Sequence, residues 1–129
     1  MKLELEQKLK SLAPTVLRLG LAAVMVWFGA SQFNNPNAWT SLVPSWATDL
    51  SGMSALTIVH LNAVFELIAG ALVAVGFGTR WLALLLSAHL FVITLDLGAS
   101  AVGVRDFGLS LGLFAVALYG TDDYCIEKK

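Results

Sequence analysis

Residues 53–80 read MSALTIVHLNAVFELIAGALVAVGFGTR. From Met53 to Phe77 the run is almost wholly apolar, with Glu66 as its one charged side chain and His60 and Asn62 as its other strongly polar ones. About 20 apolar residues suffice to cross the hydrocarbon core of a bilayer, so this stretch reads as a membrane helix. Gly76-Phe77-Gly78-Thr79 then supplies a glycine stop, and a second apolar run starts near Arg80, which suits a tight hairpin of antiparallel helices. Lipid cannot hydrogen-bond an exposed backbone, whereas a helix satisfies its own donors and acceptors. The fold class that follows is all-α.

Working outward, the rest of the chain agrees. Its 129 residues are 57% hydrophobic and only 13% charged, with a mean hydropathy of +0.76. Soluble domains carry about 25% charged residues, so there is too little charge here to cover a water-facing surface. Four spans are predicted, at about 14–33, 53–77, 80–97 and 106–119, giving an integral membrane four-helix bundle. Residues 1–13 place Leu5, Leu9 and Leu12 at helical spacing and read as an amphipathic segment on the membrane surface or continuing into the first span. No apolar core with a small-residue cleavage site marks them as a signal peptide, so they are expected to be retained. Residues 121–129 form a tail. The connection from Asn34 to Gly52 carries Trp39, Pro44 and Trp46 but neither Lys nor Arg, and reads as an interfacial cap.

Charge and thiols narrow the function. A net charge of −1 without a polybasic tract gives no footprint for nucleic acid. The single cysteine, Cys125, excludes an intrachain disulfide, a CxxC redox pair and a cysteine-built metal cluster. Lys2, Lys8, Lys10, Arg18, Arg80, Lys128 and Lys129 fall on one side of a four-span chain and Arg105 on the other. The positive-inside rule then predicts cytoplasmic N- and C-termini and an external Trp-bearing connection.

Ionisable residues inside spans are costly and mark candidate sites. Glu66, four residues after Asn62 and on the same helical face, reads either as a proton donor beside a bound ligand or as a protonated bridge to another helix. His89 and Asp96 are two turns apart on one face. Asp96, Arg105 and Asp106 are expected to form an ion-pair group at the outer end, with Asp106 partly capping the fourth helix. That group and Gln32 would either hold the bundle together or edge a pocket for a quinone headgroup or other substrate. His60 and His89, at similar depth on adjacent helices, allow a bis-histidine haem b site as an alternative. A metal site from His60, His89 and Glu66 is disfavoured because no tight ligand motif such as HExxH is present. Gly108-Leu109-Ser110-Leu111-Gly112 permits close helix packing within the bundle or with another chain.

These pieces, in order, resemble the DoxX family of small four-helix membrane proteins. The resemblance is carried by Arg18-Leu19-Gly20-Leu21, Trp27-Phe28-Gly29-Ala30-Ser31-Gln32-Phe33, Phe65-Glu66-Leu67-Ile68-Ala69-Gly70, Gly76-Phe77-Gly78-Thr79-Arg80, Arg105-Asp106-Phe107-Gly108-Leu109 and the tail Tyr119-Gly120-Thr121-Asp122-Asp123-Tyr124. It implies a multi-pass protein of a prokaryotic plasma membrane, associated with quinone and sulfur-compound redox, since the family takes its name from a component of thiosulfate:quinone oxidoreductase. Members commonly have His before the first-helix glycine and Lys three residues after it, where this chain has Phe28 and Gln32. Glu66, Arg105 and Asp106 match and carry over as catalytic candidates, with Asn62, His89, Asp96 and Gln32 as quinone-binding candidates. The expected partners are the lipid bilayer and a protein subunit or a second copy of the chain. Alternatives from other classes are a non-catalytic assembly or anchoring subunit and an oligomeric small-solute carrier.

Overall fold

The computed structural model describes residues 1–128; Lys129, counted above among the C-terminal charges, lies outside the described residues. The chain forms α1 (Lys2–Asn34), two single-turn 3-10 helices (Pro36–Ala38 and Thr40–Leu42), α2 (Ser45–Ser51), α3 (Ala55–Val75), α4 (Thr79–Leu97) and α5 (Ala101–Tyr119). Helices α1, α3, α4 and α5 are each long and apolar enough to cross a membrane. No strand occurs among the described residues. The protein is an all-α, four-span bundle.

Two span limits differ from the helix ends. Residues 1–13 continue into the first span, one of the two alternatives expected for them, so Pro14 lies inside α1 and the helix runs unbroken from Lys2. Glu4 and Lys8, and Glu6 and Lys10, stand at the i,i+4 spacing that supports an exposed helix. At ~1.5 Å per residue, the 33 residues of α1 extend ~50 Å, well beyond a ~30 Å hydrocarbon core. Its first turns project from the bundle with Leu3, Leu5 and Leu9 exposed. The second difference is the start of α5. Gly98 ends α4 with φ +61°, and Ser100 caps α5 by accepting the Gly103 N–H on Oγ at 3.0 Å. The connection is thus three residues long, and Arg105 and Asp106 lie inside the helix. Asp106 is not the cap; a serine earlier in the chain already fills that position.

The bundle is built from two close pairs, α1 on α3 and α4 on α5, with lesser contacts joining α1 to α5 and α3 to α4. The first pair depends on small residues. A Cβ at Gly29 would come within 2.7 Å of Leu67 Cγ and 2.8 Å of the Leu67 backbone nitrogen. Met25, Val73, Leu86 and Leu113 fill the middle and are fully buried.

The hairpin end is closed by the tail. Gly76 ends α3 with φ +81°, and its N–H reaches Leu72 O and Val73 O. The tail then folds back: Ile126 N–H donates to Val75 O at 3.0 Å and Glu127 N–H to Gly76 O at 3.1 Å. The Glu127 carboxylate accepts the Gly78 N–H at 2.7 Å. Cys125 is buried, and a Cβ at Gly76 would collide with it at 2.5 Å.

Candidate functional site

At the opposite end, the chain from Trp39 to Ala47 lies over the bundle and roofs a cavity of about 530 Å³. Its walls are mostly apolar and aromatic, with Phe28, Phe65, Trp39 and Trp46 among them. Gln32, Asn62, Glu66, His89, Asp96, Arg105 and Asp106 all line it. Four elements therefore deliver to one space the polar side chains that the sequence scatters over 75 residues, from 32 to 106.

The deepest polar cluster of the cavity forms between α1 and α3. Glu66 is only 2% exposed. Gln32 Nε2 donates to Glu66 Oε2 at 2.7 Å and to Phe28 O at 3.2 Å. Asn62 Nδ2 donates to Gln32 Oε1 at 2.6 Å and to Glu66 Oε1 at 3.1 Å. Two amides are thus aimed at one carboxyl, and they leave it an acceptor on both oxygens. From α4, His89 Nε2 stands 3.4 Å from Glu66 Oε1. That nitrogen is buried and makes no hydrogen bond of good geometry. The His89 ring is held edge-on to Phe65, with centroids 5.2 Å apart.

The rim carries the opposite charges. Arg105 Nη2 lies 2.9 Å from Asp106 Oδ1, its Nε donates to the same oxygen at 3.0 Å, and its guanidinium sits 4.7 Å over the Phe28 ring. Trp39 meets Phe28 from another side at 6.0 Å. Asp96 is exposed at the rim, and no ion pair joins it to Arg105 among the described residues. The expected three-way group is therefore a pair. With Asp106 one residue along the same helix and buried, Arg105 is held there, while Asp96 is exposed.

His60 stands apart from this cavity. Its ring packs edge-on to Phe33 at 6.4 Å, whereas His89 packs on Phe65, and only His89 lines the cavity. Among the described residues no group of three or more His, Cys, Asp or Glu side chains is arranged to hold a metal ion. In the Gly108–Gly112 stretch, Gly112 faces Leu21 of α1, with Leu21 Cδ1 3.0 Å from a Cβ placed there, while Gly108 faces open space.

Sequence reasoning missed the polar cluster at the other end, because it read Arg18 as a topology charge. Arg18 is 1% exposed. Its Nε donates to Asp122 Oδ2 at 2.6 Å and its Nη2 to Asp122 Oδ1 at 3.3 Å, a two-point contact. Its Nη1 donates to Val73 O at 3.0 Å and to Ala74 O, carbonyls of the last turn of α3. Burial alone pushes the Asp122 carboxyl up, but the hydrogen bonds from Arg18 and the Tyr124 N–H outweigh it and hold the group below the ordinary carboxylate range. The signal was present: an arginine four residues inside an apolar run requires a carboxylate, and the tail offers Asp122.

No curated protein and no solved structure matches the chain. The DoxX family model matches residues 13–99. That stretch contains Arg18 and the cavity residues Gln32, Asn62, Glu66, His89 and Asp96, while Arg105, Asp106 and Asp122 lie beyond it. Because the match spans more than half of the 129 residues, the chain is a multi-pass integral membrane protein that belongs to the DoxX family.

Proposed function

We propose that this protein is a quinone-interacting subunit of a membrane oxidoreductase, of the thiosulfate:quinone type that the family resemblance suggests. The observation that carries the reading is the unpartnered, buried His89 Nε2 beside Glu66, in a cavity that is otherwise largely apolar and edged by aromatic rings. Small-molecule sites commonly span ~300–1,000 Å³ and combine apolar walls with a few convergent polar groups. A quinone, when bound, supplies two-electron, two-proton redox chemistry. The chain's own part is to offer His89 Nε2 to a ring oxygen, to hold or release a proton at Glu66, and to fix that carboxyl with Gln32 and Asn62. Phe28, Phe65 and Trp39 give a flat ring edges to pack against. The electron donor belongs to a partner protein, since Cys125 has no second thiol to pair with.

The basic residues support one orientation. The hairpin end carries Lys2, Lys8, Lys10, Arg80 and Lys128, and the positive-inside rule favours a cytoplasmic side for it and for both termini, with the cavity mouth outside. A prokaryotic plasma membrane is the setting this implies.

Trp39 and Trp46 line the cavity, so binding has an intrinsic reporter. Titrating the detergent-purified protein with a short-chain benzoquinone should quench tryptophan emission saturably, and His89→Leu should weaken the apparent affinity about tenfold, the ~1.5 kcal/mol of one hydrogen bond. Linear, non-saturable quenching identical in the two proteins would remove quinone from the reading and leave the assembly role.

A further inference from the structure

We infer that Glu66, His89 and Asp96 form a one-sided proton pathway, connecting the buried carboxyl to the loop-covered end of the bundle and to no other surface. This pathway does not require a bound quinone and stands independently of that reading. The three groups are ranked by exposure along one cavity: Glu66 at 2%, the His89 side chain at 28%, and Asp96 open at the rim.

The inner step joins Glu66 Oε1 to His89 Nε2 across 3.4 Å, and this nitrogen has no hydrogen bond holding it elsewhere. When the carboxyl is protonated, its O–H bond breaks as an N–H bond forms on the imidazole, leaving a carboxylate and an imidazolium. The neutral imidazole takes a proton on one nitrogen and, as the imidazolium, releases one from the other, so the charge moves on in that transfer without ring rotation. No electrons are transferred. The outer step runs along α4. His89 and Asp96 are seven residues apart on one helix face, about 10 Å, and both line the cavity. A cavity of about 530 Å³ exceeds the ~30 Å³ share of a liquid water many times over, so water can bridge the two.

The other direction is closed. Beyond Glu66 lie Ala69 and Val73 of α3, with Met25 of α1, Leu86 of α4 and Leu113 of α5, all buried and apolar. The polar pair in that region, Ser87 and Ser110, is occupied: each hydroxyl donates to the other residue's carbonyl, at 2.8 and 3.0 Å. Other charges facing the pathway come from α5 alone, where Arg105 and Asp106 neutralise each other at 2.9 Å. Gln32 of α1 is uncharged, and the roof from Trp39 to Ala47 contains no ionisable side chain.

His60→Gln leaves His89 as the sole histidine, so its imidazole can be followed by nitrogen-15 NMR of the full chain in lipid nanodiscs. On this background Glu66→Gln, which removes the inner proton donor, should slow proton exchange at His89 Nε2 severalfold. Asp96→Asn, at an exposed site where folding is not at stake, should likewise slow proton exchange at the His89 ring severalfold, and Asp96→Glu should restore it. In vesicles of uniform orientation, a pH jump applied at the loop face should titrate His89 rapidly, and one applied at the tail face should not. An exchange rate unaffected by Glu66→Gln, one unaffected by Asp96→Asn, or rapid protonation from the tail face would each overturn the proposal.

Discussion

Gln32 lies two residues from the end of α1, yet its amide joins three parts of the site, accepting from Asn62 and donating to both Glu66 and the Phe28 carbonyl. Removing it takes a donor from buried Glu66 and an acceptor from half-buried Asn62, which costs more than the net value of the bonds themselves. Gln32→Leu should therefore lower stability by about 1–3 kcal/mol in detergent-based unfolding, whereas the same change at exposed Ser41 should fall within ~0.5 kcal/mol. Equal effects at the two positions would show that the cluster does not hold α1 to α3. Part of this cluster was legible in the sequence. Asn62 and Glu66 are four apart on a helix, and that spacing alone puts them in reach of each other, as the 3.1 Å bond shows. Gln32 and His89 were legible only as polar residues in apolar runs. Their convergence depends on how far α1 slides along α3 and how α4 faces them, and neither is encoded in local periodicity.

Among the elements, the four spans were readable because hydrophobic length is a strong signal, and the hairpin was readable because Gly76 and Gly78 stop and restart a helix with positive φ. The start of α5 was not, and for the start of α1 the sequence left two alternatives open. Pro14 resembles a helix start, but a helix tolerates an internal proline when the turns on either side are independently supported. At α5, Ser100 competes with Asp106 for the capping position and wins, because Gly98 has already ended α4. The site's register rests on a different small residue. At Gly29 a methyl group would meet the Leu67 backbone nitrogen at 2.8 Å and Ala63 O at 2.9 Å, backbone atoms that cannot rotate away. Gly29→Ala should push α1 from α3, with an overpacking cost of about 1–3 kcal/mol, and should pull Gln32 from Glu66. Gly108→Ala, where a Cβ meets open space, should be neutral or slightly stabilising because alanine is the better helix former. Thermal unfolding of the two variants in the same detergent separates these outcomes, and a Gly29→Ala protein as stable as the parent would refute the register argument.

At the scale of the whole molecule, the two ends of the bundle are built on opposite principles. The loop end gathers its polar groups around a cavity and leaves His89 Nε2 without a hydrogen bond, while the tail end buries one tightly paired couple: Arg18 and Asp122 are each 1% exposed at the side chain and 2.6 Å apart. The tail joins the first span, the end of α3 and the last residues in one clamp, and so makes the bundle cooperative where the cavity leaves it open. Breaking one side of a buried pair leaves an uncompensated charge at a cost of ~3–5 kcal/mol, but replacing both sides with apolar groups is often nearly neutral. Asp122→Ala should therefore destabilise strongly, and the Arg18→Met/Asp122→Leu double variant should recover much of the loss. The pH dependence has a defined sign. Because the folded Asp122 carboxyl is held below the ordinary range, the unfolded chain binds its proton at higher pH, and the pair's contribution is complete above the unfolded value of ~3.9. It is lost as pH falls below that value and through the lower, folded one. The thermal midpoint of the parent protein should fall steeply on acidification in that window. Asp122→Asn should start lower at neutral pH and lack that component of the fall. Parallel acid limbs in the two proteins would mean that another carboxylate governs acid stability and that the Arg18 clamp is not what ties the tail to the bundle.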